Sequence, residues 1–278
     1  MKNDTRLQLN TYIVDAFTSR PFKGNPAGVC ITKFRLEDSL MLSIAKELGF
    51  SETAFVRHIN EEEFSIRYFS PKMEIPLCGH ATIASSKVVF DLFEKQYVRF
   101  TTKSGEVIPV THSASHIVMD FPVYETRADE APPALLSALG IKGLNNVAYN
   151  RETNILLLEI ESTDVLGQLN PNYEMLTKSH SSINGVLVTA ASHTDKYDYH
   201  SRYFWPWSGT NEDPVTGGIQ TFLASYWSSR LGKTKMHAFQ SSSRTGEMSV
   251  ELIDGKVRIK AEAVVILDGQ MSLDIHTS

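Results

Sequence analysis

The sequence has few cysteines and no long apolar run, and each scarcity excludes a class of protein. Cys30 and Cys78 are too few for a disulfide framework and show no CxxC spacing, which fits a reducing compartment. No stretch of about 18 apolar residues occurs, as a membrane-spanning helix would require. The apolar run near the amino terminus is interrupted by polar residues, unlike the core of a signal peptide. We therefore expect a soluble, cytoplasmic protein.

The sequence also lacks a positive charge excess and the common cofactor motifs. Its 27 Lys and Arg residues face 32 Asp and Glu residues, for a net charge of −5. A protein that binds a phosphate backbone normally carries the opposite balance. No Walker loop, GxGxxG, HExxH, GxSxG or closely spaced group of metal ligands is present. We therefore expect no nucleic-acid partner, no membrane attachment, no cofactor and no metal ion.

The residues that are present predict a folded protein with many strands and few helices. With 278 residues, 42% of them apolar, the chain is long enough for two domains or one large domain. Runs of β-branched and aromatic residues predict strands at 9–14, 27–32, 54–58, 64–69, 116–121, 155–160, 185–190, 248–253 and 256–261. Helical spacing is found at 36–48, 81–93, 133–139 and 219–231. Because strands and helices do not alternate regularly, the pattern favours an α+β fold over a doubly wound sheet.

An internal repeat is the most informative pattern. Residues 67–80 read RYFSPKMEIPLCGH and residues 202–218 read RYFWPWSGTNEDPVTGG. Each segment precedes a helix rich in small residues, and each helix is followed by a glycine turn, at 104–106 and 245–247, that opens a strand pair. This ordered series predicts two similar lobes with a cleft between them, a common place for a ligand site. We place the N-terminal lobe at 1–120 and the C-terminal lobe at 121–278, leaving open a return of the last strand to the first lobe.

Glycines stand at the predicted start of a helix in both copies of the repeat. They are Gly79 in the first copy, and Gly217 and Gly218 after Thr216 in the second. Glycine allows a ligand close to the backbone, and the amide groups and dipole of a helix N-terminus favour an anion. Two such helix starts facing one cleft would bind a carboxylate. The alternative is that the glycines only form tight turns and that His80 caps its helix.

Three side chains are candidates for acid/base chemistry. His80 can donate or accept a proton near neutral pH, and Asp213 is held in an extended conformation by Pro214. Glu52 begins an apolar strand, an environment in which a carboxylate can shuttle protons near neutral pH. Asp213 as a helix cap and Glu52 as a solvated strand end are the structural alternatives.

Two further residues are open to more than one interpretation. Cys78 could act as a thiol base, but a two-base racemase needs a partner, and the repeat places Thr216 at the matching position. We therefore interpret Cys78, like Cys30, as a small packed residue. Asn25 lies in the turn 24–28, which either directs its side chain to the cleft or is purely structural.

Four motifs in order resemble a known family. They are Asp15-Ala16-Phe17 with Pro21-Phe22-x-Gly24-Asn25-Pro26-Ala27, then Ser51-Glu52-Thr53-Ala54-Phe55-Val56, then Pro76-Leu77-Cys78-Gly79-His80-Ala81-Thr82, and Glu212-Asp213-Pro214-Val215-Thr216-Gly217. This series resembles the PhzF-like family of phenazine biosynthesis, whose members share the diaminopimelate epimerase fold. The resemblance implies an α+β fold of two similar lobes, each an open β-barrel around a central helix, with the site in the cleft between them.

The resemblance also implies an activity and roles for the matching residues. In the family's isomerase, the residue matching Glu52 moves a proton on a small, cyclic carboxylate substrate, and those matching His80 and Asp213 assist. It further implies a homodimer that uses no cofactor. Thr216 in place of a second cysteine argues against an epimerase, and Gly218 stands where the family commonly has serine. The alternative is a member of the fold that binds a metabolite or a protein without catalysis.

Overall fold

A computed structural model describes residues 4–276, which are built mainly from strands. The first strands are β1 (Asp4–Ala16), β2 (Asn25–Thr32), β3 (Thr53–His58), β4 (Glu63–Phe69), β5 (Glu74–Ile75), β6 (Tyr97–Thr101), β7 (Val107–Ser113), β8 (His116–Pro122) and β9 (Arg127–Ala128). They are followed by β10 (Asn146–Asn150), β11 (Ile155–Glu159), β12 (Gly185–Ala191), β13 (Tyr199–Trp205), β14 (Thr210–Asp213), β15 (Lys235–Gln240), β16 (Gly246–Ile253), β17 (Lys256–Ala261) and β18 (Ala263–His276).

Six α-helices lie between the strands in the described part of the chain. They are α1 (Asp38–Leu48), α2 (Gly79–Phe93), α3 (Pro133–Leu139), α4 (Thr163–Gln168), α5 (Tyr173–Ser179) and α6 (Gln220–Leu231). Each predicted strand falls on an observed strand, and each predicted helix falls on α1, α2, α3 or α6. No predicted range extends more than two residues beyond the end of its observed element. Between residues 4 and 276, no helix combines the length and the apolar character needed to cross a membrane.

The chain divides into two compact units. Unit 1 holds the described residues up to Met119 and those from Ala261 onward, and unit 2 is Asp120–Lys260. In unit 1 the last strand, β18, pairs antiparallel with β1 along its whole length. The carboxyl-terminal residues therefore complete the sheet of the unit that contains the amino terminus.

The two units pair their strands in the same order. In unit 1, β1 pairs antiparallel with β2, β2 parallel with β3, β3 antiparallel with β4, and β4 parallel with β6, which leads antiparallel through β7 to β8. In unit 2 the same sequence of directions runs through β10, β11, β12, β13, β15, β16 and β17. The duplication predicted from the repeat is confirmed by this matching topology.

Each unit wraps its strands around one central helix. Helix α2 packs against β1, β2, β3 and β18, and ten of its fifteen residues are buried. Helix α6 packs against β15 and β16, and seven of its twelve residues are buried. A helix buried on most of its sides needs small or apolar residues all round, which explains the runs of alanine and serine in α2. The α+β fold with a central helix in each unit agrees with the prediction.

The repeated RYF tripeptide forms the same contacts in each unit. In unit 1, the Arg67 guanidinium donates two bonds to Glu74 at 2.7 and 2.8 Å and lies 5.2 Å from the ring centre of Phe69. In unit 2, Arg202 donates two bonds to Glu212 at the same distances and lies 4.9 Å from the ring centre of Phe204. The motif therefore ties the strand that carries it to the short strand that follows.

Candidate active site

Glu52 is positioned by the turn that joins α1 to β3. The helix ends at Gly49, whose φ of 71° is the left-handed conformation that glycine adopts most easily. The carbonyl of Glu52 then accepts a bond from the amide of Gly28 at 3.3 Å, which begins the parallel pairing of β2 with β3. A Cβ at Gly28 would lie 2.8 Å from the Oγ1 of Thr53, so this close approach requires glycine. The tight pairing holds Glu52 at the beginning of β3.

His80 lies beside Glu52 at the start of the central helix α2. Its Nε2 is 3.2 Å from Oε2 of Glu52, and the two side chains are only 10% and 14% exposed. Burial lowers the pKa of His80 below the ordinary value of 6.5, and the negative charge of Glu52 opposes this shift only in part. The imidazole is therefore neutral at pH 7, and its Nε2 lies next to the carboxylate.

Cys78 is the third member of the cluster. It is the N-cap residue of α2 and is buried, as predicted for a packed residue, but its Sγ is also 3.4 Å from Nδ1 of His80. Donor atoms of Glu52, Cys78 and His80 all lie within 4.8 Å of one another. Cys30 differs, because it is fully buried in β2 and burial raises the pKa of its thiol to about 12. Within residues 4–276, Cys78 therefore lies beside an imidazole and a carboxylate, whereas Cys30 does not.

Thr82, in the first turn of α2, stabilises the start of this helix. The hydroxyl of Thr82 donates to the carbonyl of Cys78 at 2.7 Å and also contacts the hydroxyl of Tyr68 at 2.5 Å. The N-cap side chain makes no capping hydrogen bond. The His80 ring faces Glu52 and Cys78, so the contacts do not match the alternative in which His80 serves as the helix cap.

In unit 2, the matching turn carries Asp213 and Thr216. The hydroxyl of Thr216 donates a short hydrogen bond to Oδ2 of Asp213. Gln240, only 2% exposed at the end of β15, accepts from the Thr216 amide at 2.9 Å and donates to the Asp213 carbonyl at 2.8 Å. Gln240 therefore holds this turn in place, and no local sequence signal marks a partner more than twenty residues away.

The predicted binding glycines and Asn25 occupy well-defined places within their units. Gly79 is the first residue of α2, and Asn25 is fully buried at the first position of β2. The carbonyls of Gly217 and Gly218 accept the first hydrogen bonds of α6, from the amides of Gln220 and Thr221. A Cβ at Gly218 would meet no atom within 4 Å, so packing does not require glycine at this position. The substrate-binding roles of these residues stay predictions.

Known proteins resemble this chain over nearly its whole length. The profile of the PhzC-PhzF family, described as "Phenazine biosynthesis-like protein", matches residues 14–269. A "Phenazine biosynthesis-like domain-containing protein" of Bos taurus is 38% identical over 96% of this chain and 100% of its own. A protein of Halalkalibacterium halodurans named "Uncharacterized isomerase" is 38% identical over 94% of this chain and 98% of its own. The crystal structure of a PhzF family protein from Enterococcus faecalis superimposes with a TM-score of 0.89 at 33% identity, covering 96% of this chain and 100% of that one.

Proposed function

The chain belongs to the phenazine biosynthesis-like PhzC-PhzF family, and from this membership and its buried Glu52–His80 pair we propose that it is an isomerase. The substrate we propose is a small, cyclic carboxylate, on which the enzyme moves a proton. The name of the Halalkalibacterium halodurans relative supports the reaction class. The observation that carries the proposal is the 3.2 Å contact between Oε2 of Glu52 and Nε2 of His80.

In the proposed reaction, Glu52 is the group that carries the proton. Its carboxylate accepts a proton from one substrate carbon, and the carboxylic acid so formed exchanges its proton with solvent before it protonates another carbon. No covalent bond forms between protein and substrate. The neutral His80 is the group that orients Glu52 in this proposal, because its Nε2 lies 3.2 Å from Oε2. General acid/base catalysis by one placed group contributes roughly 10²- to 10⁴-fold to the rate. The mechanism uses proton transfers alone and calls for no cofactor.

The proposed binding of the substrate carboxylate uses the start of α2. This helix has fifteen residues and no side-chain cap, so its first amide groups and its dipole favour an anion. We assign Gly79 and Asn25 to this role in unit 1, and Thr216, Gly217 and Gly218 in unit 2, following the family resemblance. Asp213, held by the hydroxyl of Thr216, is proposed to assist in catalysis. A homodimer remains part of the same proposal.

The proposal is tested with a substrate search followed by one matched pair of variants. Cyclic and amino-acid carboxylates are screened for thermal stabilisation, and each ligand is then incubated with enzyme in D2O and analysed by mass spectrometry. The expected result is a product that carries solvent deuterium at the carbon that gains the proton. Ligands that bind without turnover would instead support the catalytically silent alternative.

Glu52→Gln should lower turnover at least about 100-fold, because the amide keeps the shape of the side chain but cannot accept the proton. Glu47→Gln is the matched control, since Glu47 is exposed in the nearby helix α1. Turnover of the identified substrate by Glu52→Gln at the wild-type rate would rule out the assignment.

A further inference from the structure

The fold brings together three different metal-ligating atoms, two from the start of α2 and one from Glu52, which is distant in sequence. A carboxylate oxygen of Glu52, the thiol sulfur of Cys78 and an imidazole nitrogen of His80 lie within 4.8 Å of one another. All three side chains are buried or nearly so. We propose that Glu52, Cys78 and His80 bind one Zn²⁺ ion, with Nε2 as the histidine ligand.

The distances are close to those of a zinc coordination shell. Nε2 of His80 lies 3.2 Å from Oε2 of Glu52 and 4.0 Å from Sγ of Cys78. In a tetrahedral zinc site with bonds of about 2.0–2.3 Å, neighbouring ligand atoms are about 3.3–3.6 Å apart. The oxygen–nitrogen spacing is already suitable, and the sulfur needs to move by about half an ångström. The bond from Thr82 to the Cys78 carbonyl, 2.7 Å long, holds the helix start that carries both Cys78 and His80.

The kinds of donor select the metal. Mg²⁺ and Ca²⁺ prefer oxygen ligands, whereas Zn²⁺ accepts oxygen, nitrogen and sulfur together. Three protein ligands leave one tetrahedral position for water or for a substrate carboxylate, an arrangement found in zinc sites that exchange a ligand. Zn²⁺ is therefore expected to bind much more tightly than Mg²⁺.

The charges in the bound state balance. Zn²⁺ displaces the thiol proton of Cys78, which leaves to solvent, and the Nε2 proton of His80 is replaced by one on Nδ1. Two positive charges on the ion then meet one negative charge on Glu52 and one on the Cys78 thiolate. A buried site with no net charge avoids the desolvation penalty that an isolated ion would incur.

Metal binding has a consequence for the proposed isomerase. A Zn²⁺ ion would occupy the carboxylate that the reaction needs, so the metal acts as a reversible inhibitor that a chelator removes. This consequence rests on the proposed function, whereas the binding itself does not. Binding is therefore measured by spectroscopy, and its failure is distinguishable from failure of the isomerase proposal.

The binding test uses the full chain, reduced and freed of metal, with Co²⁺ as a spectroscopic stand-in for Zn²⁺. We expect one Co²⁺ per chain, visible bands typical of tetrahedral coordination and a near-ultraviolet thiolate-to-cobalt charge-transfer band. Zn²⁺ should displace the Co²⁺ and abolish these bands, and Mg²⁺ should not. Zn²⁺ affinity is measured by competition with a chromophoric chelator.

The two cysteines provide a matched control. Cys78→Ser should lose the charge-transfer band. Its Zn²⁺ affinity should fall by more than the roughly 10- to 100-fold that loss of a residue hydrogen-bonded to a metal ligand typically costs, because Cys78 is itself a ligand. Cys30→Ser should keep the band and the affinity. His80→Gln should weaken Zn²⁺ binding as well, and circular dichroism establishes that each variant is folded. A wild-type protein without the band, or a Cys78→Ser variant with unchanged Zn²⁺ affinity, would overturn the proposal.

Discussion

The two arginines of the repeated RYF motif should differ sharply in their contribution to stability. We expect Arg202→Met to lower the free energy of unfolding much more than Arg67→Met, although both remove a two-bonded ion pair of the same geometry. The reason lies in what each substitution leaves behind. Glu212 and Arg202 are 14% and 10% exposed, and Arg202 also donates to the carbonyls of Leu169 and Leu166 at 2.6 and 3.2 Å.

When Arg67 is removed, its partner Glu74 still has a second positive charge beside it. Glu74 is 20% exposed and also bonds Lys103 at 2.6 Å, so its charge keeps a counter-ion. The third contact of Arg67 is to Asp38, which is 57% exposed and hydrates readily. Breaking a buried pair from one side costs about 3–5 kcal/mol, whereas a partly exposed pair contributes about 1 kcal/mol or less. The expected difference between the two variants is about 2–4 kcal/mol.

Urea unfolding at pH 7 measures both values. All three tryptophans, at 205, 207 and 227, lie in unit 2, so their fluorescence follows that unit, and circular dichroism follows the whole chain. Arg202→Met should shift the fluorescence transition to lower urea, and Arg67→Met, in unit 1, should shift the circular dichroism transition much less. Equal losses of unfolding free energy in the two variants would refute the reasoning. The geometry of the ion pair, and not its burial or its other partners, would then determine the cost.

Three further predictions concern the candidate site. Because the folded pKa of His80 is lowered, the unfolded chain takes up the proton first, so wild-type stability should fall relative to His80→Asn as pH drops below about 6.5 in urea titrations. Gly218→Ser should leave the free energy of unfolding within about 0.5 kcal/mol, since its Cβ has open space, and a thermal melt checks this. Gln240→Met should cost about 1–3 kcal/mol by leaving the Thr216 amide and the Asp213 carbonyl without this partner, and should reduce turnover of an identified substrate. An unchanged free energy of unfolding in Gln240→Met would contradict the role of Gln240 in stabilising the turn of Asp213 and Thr216.

Some elements could not be predicted because their signals are short or interrupted. Helices α4 and α5 are as short as α3 but contain fewer apolar residues, so they show no apolar periodicity, although Ser162 and Asn172 cap them by accepting bonds from Val165 and Met175. Strand β18 contains Asp268 and Gly269, which break its apolar pattern. Its pairing with β1 supplies the order that its own residues do not.

The repeat and the candidate acid/base residues are legible in the sequence because they depend on local chemistry. Three signals recur in order in both halves: the RYF tripeptide, the later Glu-x-Pro and the glycine before each helix. The strands and helices next to these signals have ordinary residue preferences. Glu52 and His80 could be named as candidates for the same reason. Their residue types and their places at the start of a strand and of a helix are visible without any contact.

Only the tertiary structure decided which of these residues meet. The parallel pairing of β2 with β3, made close by Gly28, places Glu52 against the His80 ring, and the same helix start adds the Cys78 thiol. Gln240 reaches the Asp213 turn through the parallel pairing of β13 with β15. Parallel strands are joined by long crossovers, so their register is set by packing over the whole unit and not by neighbouring residues. Local preference thus determined the elements, and nonlocal pairing determined the chemistry at their ends.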